Sequence, residues 1–215
     1  MKIVNRITSN KNHFGFGNPC NYITIHQTGN ESYGADAMAH SNFMNNGSAV
    51  SWHYTVDDKR IVKHLDDRIR GWHSGDGRGR GNMESIGIEM CVNVDGDYKK
   101  ALKNLVQLVS YLQKIHGIPN HNVVQHNFWT GKNCPQQIRQ GYQGVNWNSF
   151  MNMVKGSTVN HVVEPTNKNV TEKGVDYNEL ARLTILGKFG NGATRIANLG
   201  KHYNEVQKRV NELLK

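Results

Sequence analysis

Two histidines and one cysteine in this chain have the donor atoms of a catalytic metal site. His26 ends a short apolar run at residues 22–26, and one hundred residues later His126 begins a loop-like segment that also contains Cys134. Two imidazoles and a thiolate can hold a zinc ion and leave one coordination position open for solvent or substrate. Lys132, two residues before the thiol, would add a positive charge beside that position. These residues therefore predict one zinc ion per chain.

The cysteine content favours this interpretation over a disulfide framework. The chain has three cysteines, an odd and sparse set that leaves at least one thiol for other work. Cys91 lies in an apolar run, and we interpret it and Cys20 as small buried hydrophobic residues. Cys134 lies between polar residues and Pro135, where we expect an exposed loop in which a structural cysteine contributes little.

Most of the 11 histidines are interpreted as ordinary surface or core residues. His26 differs because it lies at the end of a predicted strand, where a rigid element projects a side chain into a cleft. His126 and Cys134 have the spacing of loop residues, which suits ligands that converge on a partner held by a strand. The histidines without a predicted role are His13, His40, His64, His116, His121, His161 and His202.

The elements that must position these residues alternate between strand-like and helix-like patterns. The predicted strands lie at residues 22–28, 52–56, 61–65 and 85–92, and a predicted helix lies at 35–45. The strands at 52–56 and 61–65 are predicted to form a hairpin with its turn at Asp57-Asp58, and the strand at 85–92 is predicted to be buried.

The clearest element is a helix from Tyr98 to His116. Its apolar residues recur at steps of three and four, Asp97 can cap its start, and Gly117 can end it. Such an apolar stripe must pack on an apolar surface, most simply one face of a sheet. The sequence thus predicts the α/β class, with a central mixed β-sheet flanked by helices.

A change of composition divides the chain into three parts. Residues 1–155 predict a main domain, and residues 156–171 have the Asn, Thr and Ser content of a linker. Residues 172–215 predict a small helical module whose core would be marginal alone. This module is predicted to contain helices at 177–186 and 203–214 and a turn at 187–192.

Charge and hydropathy exclude some classes of protein. The net charge is +9, of which residues 1–155 contribute +6 and residues 172–215 contribute +3, and such a surface attracts polyanions. The sequence has no block of Lys and Arg and no basic-aromatic RNA motif, so we expect no nucleic-acid partner. It has no run of about 20 apolar residues, so we expect no membrane span. The first residues contain no apolar run of signal-peptide length, so we expect synthesis in a cytoplasm without Sec export.

Five motifs between residues 18 and 152 resemble those of the zinc-dependent N-acetylmuramoyl-L-alanine amidases, a family that includes phage lysins and peptidoglycan-recognition proteins. Together they are far more specific than any one of them alone. The motifs are Ile23-Thr-Ile-His26, Ser51-Trp-His-Tyr-Thr-Val56, Gly71-Trp-His73-Ser-Gly-Asp-Gly, Asn82-Met-Glu-Ser-Ile86-Gly-Ile-Glu89 and His126-Asn-Phe-Trp-Thr-Gly-Lys132-Asn-Cys134-Pro.

The resemblance implies a ligand set and an activity. It implies that His26, His126 and Cys134 hold zinc, and that zinc-activated water cleaves the amide bond between N-acetylmuramic acid and L-alanine in peptidoglycan. Glu89 corresponds to the family's base, and Lys132 to the lysine that stabilises the oxyanion. A carboxylate in an apolar run is costly unless it is paired or functional. The alternative for Glu89 is a strand whose polar face meets water, and for Lys132 a solvated loop residue.

Two further residues are expected to contact substrate. Trp52 holds the position at which some members of the family have a catalytic tyrosine, so no tyrosine role is transferred, and its ring is predicted to line the groove. An aromatic residue on a strand is a core residue at least as often. His73 lies in a glycine-rich loop that can reach the cleft; substrate contact is favoured over a fourth metal ligand.

The second module resembles the short helical cell-wall-binding modules of some phage lysins. This implies that it binds a muropeptide unit, although a helical pair that stabilises or dimerises the enzyme is the alternative. The whole chain then resembles a phage or prophage endolysin that acts on the wall after release. Two other functions stay open: a peptidoglycan-binding protein without activity, and a zinc endopeptidase of the stem peptide.

Overall fold

The computed structural model describes residues 3–8, 11–157, 176–185, 189 and 192–214. The chain divides into two compact units, residues 1–163 and 164–215, and each is described by itself. From residue 158 onwards, the predicted linker lies outside the described residues. The predicted boundaries of the three parts therefore stay a prediction.

The first unit is built on one six-stranded mixed sheet, which confirms the predicted fold class. Its strands are β1 (Ile3–Asn5), β2 (Tyr22–Gln27), β3 (Tyr54–Val56), β4 (Ile61–Lys63), β5 (Ser85–Met90) and β6 (Val123–Gln125), in the order β1-β4-β3-β5-β2-β6. Only β3 and β4 pair antiparallel among these strands. The helices of this unit are α1 (Ala37–Asn45), α2 (Arg80–Met83), α3 (Tyr98–His116), α4 (Asn127–Thr130), α5 (Gln136–Arg139) and α6 (Trp147–Gly156).

One face of the sheet forms the hydrophobic core with α3 and α6. Successive side chains of a strand point to opposite faces, so the isoleucines of β2 and β5 lie on this face and the polar residues between them lie on the other. The α3 helix begins and ends as predicted: Asp97 accepts the N–H of Lys100, and Gly117 adopts φ +70° at the end. The core residues that these elements share include Ile23, Ile25, Ile86, Ile88, Leu102, Leu105, Leu108, Phe150 and Val154.

The predicted hairpin is confirmed, with shorter strands. The β3 and β4 strands pair antiparallel around a turn in which Asp57 accepts the N–H groups of Lys59 and Arg60. The α1 helix begins at Ala37, two residues later than predicted, because Asp36 caps it by accepting the N–H groups of Met38 and Ala39. Within this unit, sequence reasoning missed β1, β6, α2, α4, α5 and α6, all of which except α6 are three or four residues long.

The second unit contains the helices α7 (Tyr177–Ile185), α8 (Gly192–Leu199) and α9 (Tyr203–Leu213). Its small core consists of Ala181, Leu199, Val206 and Val210, with aromatic residues packed at the edge. The helical character of the module is confirmed, but α8 was not predicted. Most of the predicted turn at 187–192 lies outside the described residues. Within the described chain, no helix is both long and apolar enough to cross a bilayer.

A buried ion-pair network lies at the edge of the main core. The carboxylate of Asp67 accepts hydrogen bonds from Lys63 Nζ (2.7 Å), Tyr54 Oη (2.5 Å) and His116 Nε2 (2.8 Å). All three partners are almost fully buried. The Lys63 ammonium and the His116 ring hold the pKa of Asp67 far below its usual range, against the opposing effect of burial. The carboxylate is therefore ionised in the folded chain.

We expect Asp67→Asn to lower the free energy of unfolding by about 3–5 kcal/mol, because it leaves the Lys63 ammonium buried without its counter-charge. Urea unfolding followed by circular dichroism measures this change. Asp66→Asn is the matched control: this side chain is 40% exposed and 4.0 Å from Lys63 Nζ, so a change below about 1 kcal/mol is expected. Equal effects of the two substitutions would contradict the assignment.

The Asp67 carboxylate also makes the stability difference between the wild-type chain and Asp67→Asn dependent on pH. Its pKa is lower in the folded chain than in the unfolded one, so its stabilisation is complete above the unfolded pKa of about 3.9 and is lost as the pH falls towards the folded pKa. The gap between wild type and Asp67→Asn should therefore narrow from pH 6 to pH 3. A gap that stays constant over this range would show that Asp67 is not the titrating group.

Candidate metal centre

The pairing of β2 with β5 and β6 brings the candidate residues to one edge of the sheet. His26 on β2 lies directly opposite Glu89 on β5, because the two strands are parallel and in register. His126 immediately follows β6, and its backbone N–H donates to the carbonyl of Ile25 (3.1 Å). Since β2, β5 and β6 run in the same direction, their carboxyl ends meet there.

The three predicted ligands converge. His26 Nδ1 lies 2.9 Å from His126 Nδ1 and 3.9 Å from Cys134 Sγ, and the three donor atoms lie within 4.8 Å of one another. Zinc bonds of about 2.0–2.1 Å to nitrogen and about 2.3 Å to sulfur, at tetrahedral angles, place two such atoms about 3.3–3.6 Å apart. The donor set and its spacing therefore fit a metal ion of this kind.

The prediction that Cys134 lies in an exposed loop is wrong, because its side chain is only 6% exposed. The Asn127 N–H donates to the carbonyl of Cys134 (3.0 Å), and the Asn127 amide donates to the carbonyls of Gly131 and Lys132. Gly131 ends α4 in the left-handed conformation, at φ +76°. These bonds fold residues 127–134 back on themselves and turn the thiol inward.

Burial sets the protonation of the three ligands. It lowers the pKa of His26 well below its ordinary value, helped by the neighbouring His73 and His126, and lowers that of His126 less strongly. It also raises the pKa of the Cys134 thiol to about 12, with a further contribution from Glu89. The imidazoles are therefore neutral, as metal ligands must be, whereas a metal must displace the thiol proton.

Glu89 lies beside the ligands with one oxygen uncommitted. Its Oε1 is 3.9 Å from His26 Nδ1, and its side chain is 17% exposed. Among the described residues, no group donates a hydrogen bond to Oε2. Burial raises the pKa of Glu89 to about 7, and the charge of Lys132 opposes this rise. Proton transfer to and from this carboxyl group is therefore easy near neutral pH.

Lys132 is exposed on the loop that carries Cys134. Its charge lowers the pKa of Glu89 and of both ligand histidines, so the ammonium group acts electrostatically on the whole cluster. A lysine in this position can stabilise negative charge that develops beside the metal ligands.

Trp52 and Glu89 line a groove of about 350 Å³ between α1 and the turn after β2. Trp52 is 5% exposed, and its indole N–H donates to Thr55 Oγ1 (2.7 Å). It is thus largely a core residue with one side on the groove, and its contact with substrate stays a prediction. The groove is also lined by Thr28, Asn30, Ala39, His40, Phe43 and Val50.

His73 lies behind His26, with 8% of its surface exposed. Its Nδ1 atom is 3.1 Å from His26 Nε2 and 2.9 Å from Ser74 Oγ, and burial lowers its pKa well below the ordinary value. The predicted substrate contact stays a prediction. Sequence reasoning missed Asn82, whose side-chain oxygen holds the backbone of residues 73 and 74; its place in the motif before β5 was the available signal.

Comparison with known proteins agrees with this geometry. Residues 16–137, more than half of the chain, match the family described as N-acetylmuramoyl-L-alanine amidase. The chain belongs to this amidase family. The matched segment contains Glu89 and all three candidate ligands. Residues 178–214 match a second family, the CW_7 repeat.

Similar members of the amidase family come from Bacillus subtilis. The N-acetylmuramoyl-L-alanine amidase CwlH is 45% identical over 151 residues, which are 69% of this chain and 58% of that protein. The amidase XlyA is 47% identical over 130 residues, which are 60% and 42% of the two chains. The chain thus spans about half the length of these curated relatives. The solved structure of a mutant endolysin from the same species is 41% identical, with a TM-score of 0.68 over 72% of this chain and 99% of that one.

We expect a divalent metal ion to stabilise this amidase-family chain through the three ligands. An ion at about 100 times its dissociation constant adds about 2.7 kcal/mol, which raises the melting temperature by about 5–10 °C. Differential scanning fluorimetry of chelated protein, with and without added metal, measures this shift. Cys134→Ser should abolish it, and Cys91→Ser, another buried thiol outside the cluster, should keep it. A shift in Cys134→Ser as large as that of wild type would refute the ligand assignment.

Proposed function

We propose that the chain is a zinc-dependent N-acetylmuramoyl-L-alanine amidase that hydrolyses the amide bond between N-acetylmuramic acid and L-alanine in peptidoglycan. The observation that carries this proposal is the convergence of His26, His126 and Cys134 beside a glutamate with an uncommitted oxygen. Membership of the amidase family and the names of the relatives support it.

The cluster suits hydrolysis of an amide. His26, His126 and Cys134 would hold the zinc ion, as three protein ligands do in catalytic sites. When bound, zinc supplies a Lewis acid that lowers the pKa of water from about 15.7 to about 7. The substrate carbonyl must also meet groups that stabilise its developing negative charge.

Glu89 is the proposed general base. Its carboxylate lies in van der Waals range of His26 and lines the groove, so it can accept the proton of the attacking water at Oε2. It can then return this proton to the leaving amino group of L-alanine. A positioned carboxylate of this kind contributes about 10²–10⁴-fold to the rate.

Lys132 is proposed to stabilise the oxyanion of the tetrahedral intermediate. Its ammonium group is exposed, and the pKa shifts of Glu89 and the ligand histidines indicate that its field reaches the cluster. The groove beside Trp52 and α1 is proposed to hold the substrate. Its mixed lining of apolar and polar side chains suits a glycopeptide.

The decisive experiment measures new amino termini during digestion of purified peptidoglycan. The zinc-loaded chain should release L-alanine amino groups, chelation should stop the release, and added zinc should restore it. Glu89→Gln should lower kcat by about 10²–10⁴-fold while zinc content stays at one per chain. Glu84→Gln is the matched control and should keep full activity, because Glu84 is a half-buried glutamate paired with Arg80.

Each alternative gives a different outcome in this assay. Fragments whose mass places the new amino terminus within the stem peptide would identify an endopeptidase. Zinc-loaded protein that binds peptidoglycan but releases no amino groups would identify a receptor without activity. Full activity in chelated protein, or in Glu89→Gln, would end the proposed mechanism.

The second unit is proposed to bind the cell wall, and the chain to act there as an endolysin after release from the cell that makes it. The match to the CW_7 repeat and the similarity to a solved endolysin support this. A linked module raises the local concentration of the catalytic unit at the polymer.

We expect a chain that ends at residue 157 to bind purified cell walls at least about tenfold more weakly than the full chain, because it loses this second contact. Sedimentation of Glu89→Gln protein with walls measures retention without digestion. The control compares the full and the truncated chain, both with Glu89 intact, on a soluble muropeptide. Their activities should be equal. Equal retention of both chains would favour a stabilising or dimerising role for the second unit.

A further inference from the structure

His26 presents its two ring nitrogens to different partners. Nδ1 faces His126 and Cys134, whereas Nε2 lies 3.1 Å from Nδ1 of His73. The rings of His26 and His73 are nearly perpendicular, at 89°, with centroids 5.1 Å apart. The separation of the two nitrogens is that of a hydrogen bond.

This contact can select the tautomer of His26. A neutral imidazole carries one proton, and a ring that binds a metal through Nδ1 must carry it on Nε2. A proton on His26 Nε2 needs an acceptor within the buried site, and His73 Nδ1 is at hydrogen-bond distance. Histidine ligands of metals generally donate their second N–H to a carboxylate, a backbone carbonyl or water, which fixes both tautomer and ring orientation. Here the nitrogen of a second imidazole takes that place.

We propose that His73 is a positioning residue that holds His26 in the tautomer and orientation required for metal binding. The proposal rests on the zinc site of the proposed function and adds to it a residue outside the ligand set. It also differs from the substrate contact that the sequence predicts for His73, because the ring lies behind His26 and is almost fully buried.

The backbone on both sides of the His73 ring is fixed by one amide. Asn82 Oδ1 accepts the N–H groups of His73 and Ser74, each at 2.8 Å, and Asn82 Nδ2 donates to the carbonyl of Gly77 (2.9 Å). The Asn82 side chain is completely buried. The loop that carries His73 is therefore anchored to the segment before β5 rather than free to follow a ligand.

Two glycines leave the space that the ring occupies. A Cβ atom on Gly87 of β5 would lie 2.8 Å from Cγ, Cδ2 and Nδ1 of His73, and one on Gly71 would lie 2.8 Å from Cδ2. Real Cβ atoms do not approach other atoms so closely, so any side chain at either position would displace the ring. The ring is held between a strand and its own loop, and its Nδ1 lies 3.1 Å from His26 Nε2 and 2.9 Å from Ser74 Oγ.

The test measures the zinc affinity of His73→Phe and His73→Asn by competition with a chromogenic chelator. Phenylalanine keeps a planar ring but removes the acceptor, so zinc should bind about 10–100-fold more weakly. Asparagine places its Oδ1 close to the position of Nδ1 and should restore most of the affinity. His64→Phe is the matched control: His64 is also buried but hydrogen-bonds to Thr55, and this variant should bind zinc as the wild-type chain does.

Each outcome decides between the proposals. Wild-type zinc affinity in His73→Phe would overturn the positioning role, and if the KM for muropeptide rises at the same time, the substrate contact is supported instead. Failure of the wild-type chain to bind zinc would refute the proposed function itself.

If His73→Phe does not fold, Gly87→Ala gives a second test, since its methyl group should displace the ring and weaken zinc binding without removing any polar group. Unchanged affinity in a folded Gly87→Ala chain would then overturn the proposal.

Discussion

The parallel pairing of β2 with β5 on one side and β6 on the other is the constraint on which the site depends. Parallel strands in register place their carboxyl ends at one edge of the sheet. His26, Glu89 and the start of the His126 loop therefore meet at that edge. Successive side chains of a strand point to opposite faces of the sheet. The isoleucines therefore lie in the core under α3, and His26 and Glu89 lie on the opposite face.

The two faces of the sheet bury different kinds of side chain. The core face is apolar and needs only close packing. The other face buries several histidines, and burial keeps His26, His73 and His53 neutral by lowering their pKa values. His53 shows how such a ring is satisfied: it accepts the N–H of Gly87 and donates to the carbonyl of Ile69. In the Asp67 network, by contrast, a buried carboxylate is paired with the Lys63 ammonium and accepts a hydrogen bond from His116.

The three candidate ligands could be picked out from sequence because their chemistry is local: a histidine at a strand end, and a histidine and a cysteine in one short loop, and the structure brings them together. The long α3 helix could be predicted for the same reason, since its period and caps lie within one segment. The burial of Cys134 could not, because it depends on hydrogen bonds of Asn127 that only the folded loop makes. Nor could β6, whose three residues carry too little pattern to distinguish a strand from a loop.

The position of His73 is a feature of the site itself that could not be predicted from the sequence. Its glycine-rich surroundings suggest a loop that reaches the cleft and contacts substrate, yet glycine has two uses: conformational freedom and room for a neighbour. Gly71 and Gly87 serve the second use, because each would strike the His73 ring if it carried a side chain. Gly87 lies fourteen residues from His73 along the chain and reaches its ring only because β5 runs beneath it. These glycines therefore let the His73 ring pack closely in a fixed position, directly behind the candidate ligand His26.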